Sequence, residues 1–322
     1  MDTALSLIQG ISIAMQPINF LVLLIGLTIG LAAGIIPGIS AANGMALLVP
    51  VVYAFGLEPG SALILYGAVY YGSKYGGRVG GVLLNSSGDA GSTATRLDGY
   101  PMALAGKAGT ALRLSAASSF LGGLMAVILL SLLFPAFAYF SEKFGPPEYL
   151  ALIMFVFGLS LILAGGTLSK TISSLCLGLI LSSVGLDWAT DVLRYTFGVP
   201  ELFDGIDFIV VIVGVFAVSE TFIMMGGYGA SVTPVPLEKE RPPPTMPLIL
   251  AHKFTTLRAS IYGFIIGILP GTGSSTANIV SYQLEKLVSN KDGTFGSGDI
   301  RGVIAPETAN SASSIGSFMP LI

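Results

Sequence analysis

Residues 3–57 form a run of 55 residues without a single Asp, Glu, Lys or Arg. As one continuous α-helix, this run would be about 80 Å long, because each residue adds 1.5 Å. The hydrocarbon core of a bilayer is about 30 Å thick, so the run is long enough to cross it more than twice. No soluble core is that thick, and the run therefore predicts a chain embedded in a membrane.

The composition of the whole chain agrees with a membrane environment. Of its 322 residues, 53% are hydrophobic and only 10% are charged, against about 25% charged residues in soluble domains. The mean hydropathy is +0.82. The 42 glycines are nearly twice the usual share of about 7%. These values exclude a soluble enzyme and a disordered chain, and they predict an all-α polytopic membrane protein.

Charge and cysteine content exclude further classes of protein. A net charge of −3 without a basic patch argues against nucleic-acid binding. The single cysteine, Cys176, excludes an intrachain disulfide, and a secreted disulfide scaffold with it.

Apolar runs between charges and helix breakers predict a series of helical segments. The segment 61–84 is rich in glycine and contains Lys74 and Arg78, so we expect it to be broken or re-entrant. Residues 85–101 are polar and are expected to form a loop. The remaining predicted segments are 3–15, 18–36, 41–55, 112–139, 149–163, 171–185, 208–225, 257–269 and 276–288.

The distribution of lysine and arginine predicts the orientation in the membrane. Basic residues crowd two loops, near residues 96–113 and 239–258, whereas residues 186–207 are acidic. Four predicted spans separate the basic loops, so both are expected on the cytoplasmic face. We predict a first repeat at residues 1–226, a Pro-rich cytoplasmic linker at 227–247, and the start of a second, incomplete repeat at 248–322.

A glycine–proline motif occurs twice in the chain. Gly30-x-x-x-Gly34-x-x-Pro37-Gly38 returns 233 residues later as Gly263-x-x-x-Gly267-x-x-Pro270-Gly271. The charge argument places the entry points of the two copies on opposite faces of the membrane. One motif in two opposed orientations is typical of an inverted repeat with broken or re-entrant helices. Since little sequence follows the second copy, we expect an N-terminal part of a longer transporter.

Each Pro-Gly break is expected to act as a hinge that exposes backbone N–H groups to a solute. In lipid, such groups are tolerated only where they are buried or line a cavity, and the N-terminus of the following half-helix favours an anion. The alternative is that the glycines permit close packing and the prolines are kinks. The predicted hinge residues are Gly34, Pro37, Gly267 and Pro270. The predicted substrate-binding residues are Gly38, Ser40, Asn43, Gly271, Thr272, Gly273, Ser274 and Ser275.

Two further polar elements are candidates for function. The loop Asn85-Ser86-Ser87-Gly88 is rich in small residues and is predicted to contribute amides for an anion, with a plain surface turn as the alternative. Glu307 and Asn310 lie in the last apolar run. An ionisable group there predicts coupling to H⁺ or Na⁺, unless Glu307 is an interfacial carboxylate at a helix end.

Enzyme motifs are weak, and no catalytic residue, metal site or organic cofactor is predicted. One histidine and one cysteine are too few for a zinc site, and no phosphate-binding loop is present. The string Gly296-x-Gly298-Asp299 matches that of intramembrane aspartyl proteases, but it lies in a charged stretch without a second candidate aspartate.

Several longer motifs resemble the large membrane subunit of the tripartite tricarboxylate transporters. The resemblance covers nearly the whole chain and departs at Ser87, where the family usually has proline. The matching stretches are 34–38, 83–88, 97–103, 197–207, 217–220, 270–273 and 305–310.

The resemblance implies a secondary transporter for citrate-like tri- or dicarboxylates, driven by a Na⁺ or H⁺ gradient in the inner membrane. It also implies two partners, a periplasmic solute-binding protein and a small four-helix membrane subunit. The alternatives are a passive anion channel and a truncated, non-transporting membrane scaffold.

Overall fold

The computed structural model is helical through most of the chain that it describes. The described residues are 3–35, 41–85, 90–141, 145–163, 167–187, 190–206, 211, 222, 235–236, 243–269, 273–289 and 293–319. The predicted span 208–225 and most of the linker 227–247 lie outside this part of the chain.

Twelve α-helices occur among the described residues. The first eight are α1 (Thr3–Ala14), α2 (Pro17–Ile35), α3 (Ala41–Ala54), α4 (Pro59–Leu84), α5 (Arg96–Leu104), α6 (Ala108–Ser141), α7 (Pro146–Leu163) and α8 (Leu168–Ser182). The last four are α9 (Thr245–Ala251), α10 (Lys253–Ile268), α11 (Gly273–Ser289) and α12 (Arg301–Gly316). Single 3₁₀ turns occur at Ala90–Ser92 and Pro200–Leu202. Among the described helices, α2 and residues 108–137 of α6 are long and apolar enough to cross a membrane.

A short antiparallel hairpin interrupts the acidic stretch that the sequence predicts to be a loop. Strands β1 (Gly185–Asp187) and β2 (Val192–Arg194) pair with Gly185 opposite Arg194. The predicted all-α fold is otherwise confirmed in the described residues.

Helices α2 and α4 run parallel and pack closely through glycine. Near the start of both helices, Ser61 Oγ donates to Asn19 Oδ1 at 2.6 Å. A Cβ atom on Gly34, near the end of α2, would lie 2.0 Å from the Ser73 carbonyl oxygen of α4. Since α4 starts beside the start of α2, the intervening α3 has to fold back along them. Helices α2 and α3 therefore form a re-entrant hairpin.

The second copy of the motif forms the same arrangement from α10, α11 and α12. A Cβ atom on Gly263 would lie 2.4 Å from the Ala309 carbonyl oxygen, and one on Gly267 would lie 2.3 Å from that of Ser313. Helices α10 and α12 are therefore parallel. Arg258 near the start of α10 binds Glu285 near the end of α11 at 2.7 Å, so α11 folds back to close the second hairpin.

The two three-helix units run in opposite directions. Lys74 of α4 contacts Ser314 of α12, and Arg78, one turn further along α4, contacts Glu307, two turns earlier in α12. Helices α4 and α12 are therefore antiparallel. Helix α2 is parallel to α4, and α10 is parallel to α12. The two units are therefore inverted relative to each other, as the sequence predicts.

Two local predictions are wrong. Helix α4 is continuous over 26 residues and is not broken at Lys74 and Arg78, because both side chains find polar partners inside the protein. The predicted loop 85–101 contains the start of α5, and Asp98 and Gly99 of that helix are buried.

The largest apolar cluster lies where five helices meet. Its buried members include Val82 of α4, Met102 of α5, Leu114 of α6, Ile249 of α9 and Ile304 of α12. This core joins helices from both units and fixes the crossing of α4 and α12.

Candidate functional site

A buried lysine lies at the crossing of α4 and α12. The Lys74 side chain is 1% exposed. Its Nζ donates to Asn310 Oδ1 at 2.7 Å and to Ser314 Oγ at 2.6 Å, and it lies 4.6 Å from the centre of the Tyr70 ring. Within the described chain these partners are uncharged. A buried ammonium group without a carboxylate partner is a costly arrangement, and it favours an anion nearby.

One turn further along α4, Arg78 forms a buried ion pair. Its Nε lies 2.5 Å from Glu307 Oε2, and both side chains are almost inaccessible, at 3% and 0%. Arg78 Nη1 also donates to Ser119 Oγ of α6 at 2.5 Å. Glu307 Oε1 accepts from Thr95 Oγ1 at 2.6 Å. The cluster thus combines two cations with one carboxylate and carries an excess of positive charge.

The segment after α4 closes one side of this cluster. Asn310 Nδ2 donates to the Gly91 carbonyl oxygen at 2.9 Å. Asn278 of α11 donates to Thr95 Oγ1 at 3.2 Å and accepts from the Ala94 amide at 2.8 Å. The chain that follows the predicted loop 85–88 therefore reaches the same polar centre.

The ends of α2 and α10 approach the level of Lys74. Gly34, near the end of α2, presses on Ser73, the residue before Lys74. Gly267, near the end of α10, presses on Ser313, the residue before Ser314. Since Lys74 and Ser314 are hydrogen-bonded, the ends of α2 and α10 converge on one site from opposite directions.

The N-terminus of α11 also lies at this site. Gly273 has a φ of +66°, which suits glycine at the reversal of the chain. The next residue, Ser274, lies beside the hydroxyl of Tyr70. The positive end of the α11 dipole is therefore directed toward the same region as Lys74.

Several buried hydroxyl groups around the cluster lack a hydrogen-bond partner within the described chain. They lie on helices α4, α6 and α12, which surround the site, and in the 3₁₀ turn after α4. Water or a solute is the natural partner for such groups. They belong to Tyr71, Ser73, Ser92, Ser115, Ser118, Thr308 and Ser311.

The structure describes only part of the predicted site. Pro37, Gly38, Ser40, Ser86, Ser87, Gly88, Pro270, Gly271 and Thr272 lie outside the described residues, as does the side chain of Asn43. Gly34, Gly267, Ser274, Glu307 and Asn310 gather at the cluster, with Gly273 and Ser275 in the first turn of α11. The glycines do permit close packing, which is the alternative interpretation of the motif, and this packing also places the ends of α2 and α10 at the cluster.

Asn85 does not join the cluster. It is the left-handed C-cap of α4, with a φ of 53°, and its side chain is exposed. It lies 11 residues beyond Lys74, or about 16 Å along the helix. Its carbonyl oxygen accepts a hydrogen bond from Arg96 at 3.3 Å.

Sequence reasoning missed Thr95, Ser119, Asn278 and Ser314, and it underrated Lys74 and Arg78. The one available signal was the pair of cations spaced by four residues in an otherwise uncharged, glycine-rich helix. Hydroxyl and amide side chains carry no such signal, because they become partners only through the packing of distant helices.

A second buried carboxylate, that of Asp98 on α5, has a structural role. Asp98 Oδ1 accepts hydrogen bonds from the amides of Gly296, Gly298 and Asp299, each at 2.8 Å. Its Oδ2 accepts from Tyr282 Oη at 2.9 Å. The Gly-x-Gly-Asp string thus forms a cradle of backbone amides for Asp98.

Beside this cradle, Asp299 forms an ion pair with Arg301 at 2.6 Å. Burial acts to raise the pKa of Asp299, but hydrogen bonds from Arg301 and Thr294 outweigh burial and lower this pKa below its usual value. Among the described residues, no three His, Cys, Asp or Glu side chains gather as a metal site.

Fold and site together define an all-α membrane protein built from two inverted hairpin units around a buried cationic centre. The chain belongs to the TctA family of the tripartite tricarboxylate transporters, because the model of that family matches residues 20–322.

Two relatives come from Agrobacterium vitis. The chain is 38% identical to the uncharacterized 52.8 kDa protein in the TAR-I ttuC' 3' region, over 100% of this chain and 64% of the relative. It is 45% identical over 60 residues to the uncharacterized protein in the TAR-II ttuC' 3' region, which covers 19% of this chain and 25% of that relative. The chain thus spans just under two thirds of the length of the first relative. No solved structure matches it.

Proposed function

We propose that this chain is the membrane subunit of a secondary active transporter that imports citrate-like tri- or dicarboxylates. The observation that carries the proposal is the buried ammonium group of Lys74, held only by uncharged partners among the described residues. An anion between the hairpin tips would balance this charge and accept hydrogen bonds from the first turn of α11. The substrate-binding groups would come from residues 38–43, 86–88 and 271–275.

Glu307 and Asn310 are proposed to couple the transport of the anion to a cation. Glu307 neutralises Arg78 within the cluster, and Asn310 binds Lys74. A proton on Glu307, or Na⁺ beside it, would weaken the attraction of Glu307 for Arg78. The cluster would then carry a larger excess of positive charge, so that cation and carboxylate bind together.

The arrangement of basic residues supports an orientation in the inner membrane. Because α4 and α12 are antiparallel, α4 ends at the face where α10 begins. The basic residues that follow α4, such as Arg96 and Lys107, therefore lie on the same side as Lys253 and Arg258. We propose that this face is cytoplasmic, in a multi-pass protein that works with a periplasmic solute-binding protein and a small four-helix membrane subunit.

Uptake by proteoliposomes tests the proposal. The full-length protein with its two partner subunits should accumulate radiolabelled citrate or a related carboxylate above the external concentration only when a Na⁺ or H⁺ gradient is imposed. Accumulation should stop when the gradient is collapsed. Uptake to equilibrium that is indifferent to both gradients would instead identify a passive channel, and complete absence of uptake would favour a scaffold.

A further inference from the structure

An apolar groove opens on the surface between α6, α9 and α10. Its volume is about 420 Å³, within the range of about 300–1,000 Å³ of ligand pockets. Ser260 Oγ of α10 contacts Met125 Sδ of α6 at 3.4 Å beside it. The apolar lining comes from Leu121, Met125, Ile249, Leu250, Phe254 and Leu257.

The walls and the floor of the groove differ in exposure. Leu250 and Phe254 on the walls are 60% and 64% exposed, whereas Ile249 on the floor is 2% exposed. The groove therefore opens on the outside of the helix bundle and is separate from the polar centre at Lys74.

One cation lies at the groove. Lys253, the first residue of α10, lines it and is exposed. The nearby carboxylates Glu285 and Asp299 are already paired with Arg258 and Arg301. No ion pair of Lys253 occurs among the described residues, and its ammonium group lies 5.4 Å from the centre of the Phe254 ring on the wall of the groove.

We propose that this groove binds an anionic phospholipid, with an acyl chain along the apolar walls and the phosphate at Lys253. The chemistry on both sides matches, because the groove offers apolar walls and a cation to a molecule with an apolar chain and a negative headgroup. Basic pockets between helices at the cytoplasmic face are typical sites for anionic headgroups. The site is independent of the transported solute, but it rests on the orientation proposed above, which places Lys253 at the cytoplasmic face.

Native mass spectrometry of the purified protein, titrated with phosphatidylglycerol or phosphatidylcholine, tests the headgroup site. Lys253→Glu should weaken retention of phosphatidylglycerol about fivefold or more, because a basic residue near the surface contributes about 1 kcal/mol to such binding. Retention of phosphatidylcholine should change little. Lys170→Glu, which changes an exposed lysine at the start of α8, is the matched control. Equal losses in both variants would overturn the proposal.

The groove itself is tested by filling it. Leu250→Trp should reduce retention of both lipids, whereas Leu177→Trp should not, although both leucines are 60% exposed. A photo-crosslinking amino acid in place of Leu250, in membranes with the partner subunits present, should label lipid. A crosslink to another polypeptide would overturn the proposal, because a protein would then occupy the groove.

Discussion

Lys74 Nζ donates a hydrogen bond to Ser314 Oγ at 2.6 Å, and this contact joins the two inverted units. Each partner follows a serine whose carbonyl group packs on a glycine of the repeated motif, Gly34 for Ser73 and Gly267 for Ser313. The contact therefore links a buried positive charge to the packing of α2 on α4 and of α10 on α12.

Lys74→Met should abolish carboxylate uptake while membrane insertion is retained. The substitution removes the buried positive charge but keeps an unbranched side chain of similar length. Uptake in proteoliposomes and the yield of folded protein are the two measurements. Lys170→Met, at an exposed lysine, should leave uptake unchanged. Wild-type uptake by Lys74→Met would remove the basis of the anion site.

Arg78 and Glu307 should behave as a coupled pair in a double-mutant cycle. Glu307→Ala alone leaves a buried guanidinium group without its carboxylate, which typically costs about 3–5 kcal/mol. Removing both groups should cost less than the sum of the single variants. Thermal unfolding of the purified variants measures the coupling, and additive effects would contradict a direct ion pair.

Gly34→Ala and Gly267→Ala should each destabilise the protein by about 1–3 kcal/mol, the usual cost of overpacking. The new Cβ atoms would lie 2.0 and 2.3 Å from the carbonyl oxygens of Ser73 and Ser313. Gly67→Ala is the control, because no atom lies within 4 Å of its added Cβ. Equal stability of all three variants, measured by thermal unfolding, would show that the helices separate easily.

Asp98→Asn should loosen the segment between α11 and α12. The amide side chain cannot accept hydrogen bonds on both sides, so it loses interactions worth about 1.5–3 kcal/mol each with the charged group. Limited proteolysis should cut within residues 293–299 faster than in the wild type. Tyr282→Phe removes one of the four bonds to Asp98 and should have a smaller effect. An unchanged cleavage rate in Asp98→Asn would contradict the anchoring role.

Asp299 should make the stability of the protein depend on acid pH. Because its pKa is lowered in the folded protein, its stabilising contribution is complete above the ordinary carboxyl range of about 4 and is lost as the pH falls through the lowered value. Asp299→Asn should therefore lose less stability than the wild type between about pH 5 and pH 3. Thermal unfolding across this range measures the difference, with Glu58→Gln as an exposed control.

Much of the fold follows from patterns that are local in the sequence. Apolar length predicts the helices, Pro37 and Pro270 predict where α2 and α10 end, and the repeated glycines predict the inverted units. Lys74 and Arg78 mislead such reasoning, because two charges in an apolar helix favour a break when their partners are unknown. Three of those partners, Glu307, Asn310 and Ser314, lie more than 200 residues away on α12, and a fourth, Ser119, lies on α6.

The sequence alone determined the class of protein and its inverted architecture, because burial in lipid and the breaking of helices by proline depend on local composition. Only the tertiary structure decided which polar groups meet. Lys74, Glu307, Thr95 and Asn278 form one centre because α4 and α12 cross in opposite directions and the chain after α4 packs between them. Hydrogen bonds and ion pairs act over a few ångströms, so their partners are fixed by helix packing rather than by position in the chain.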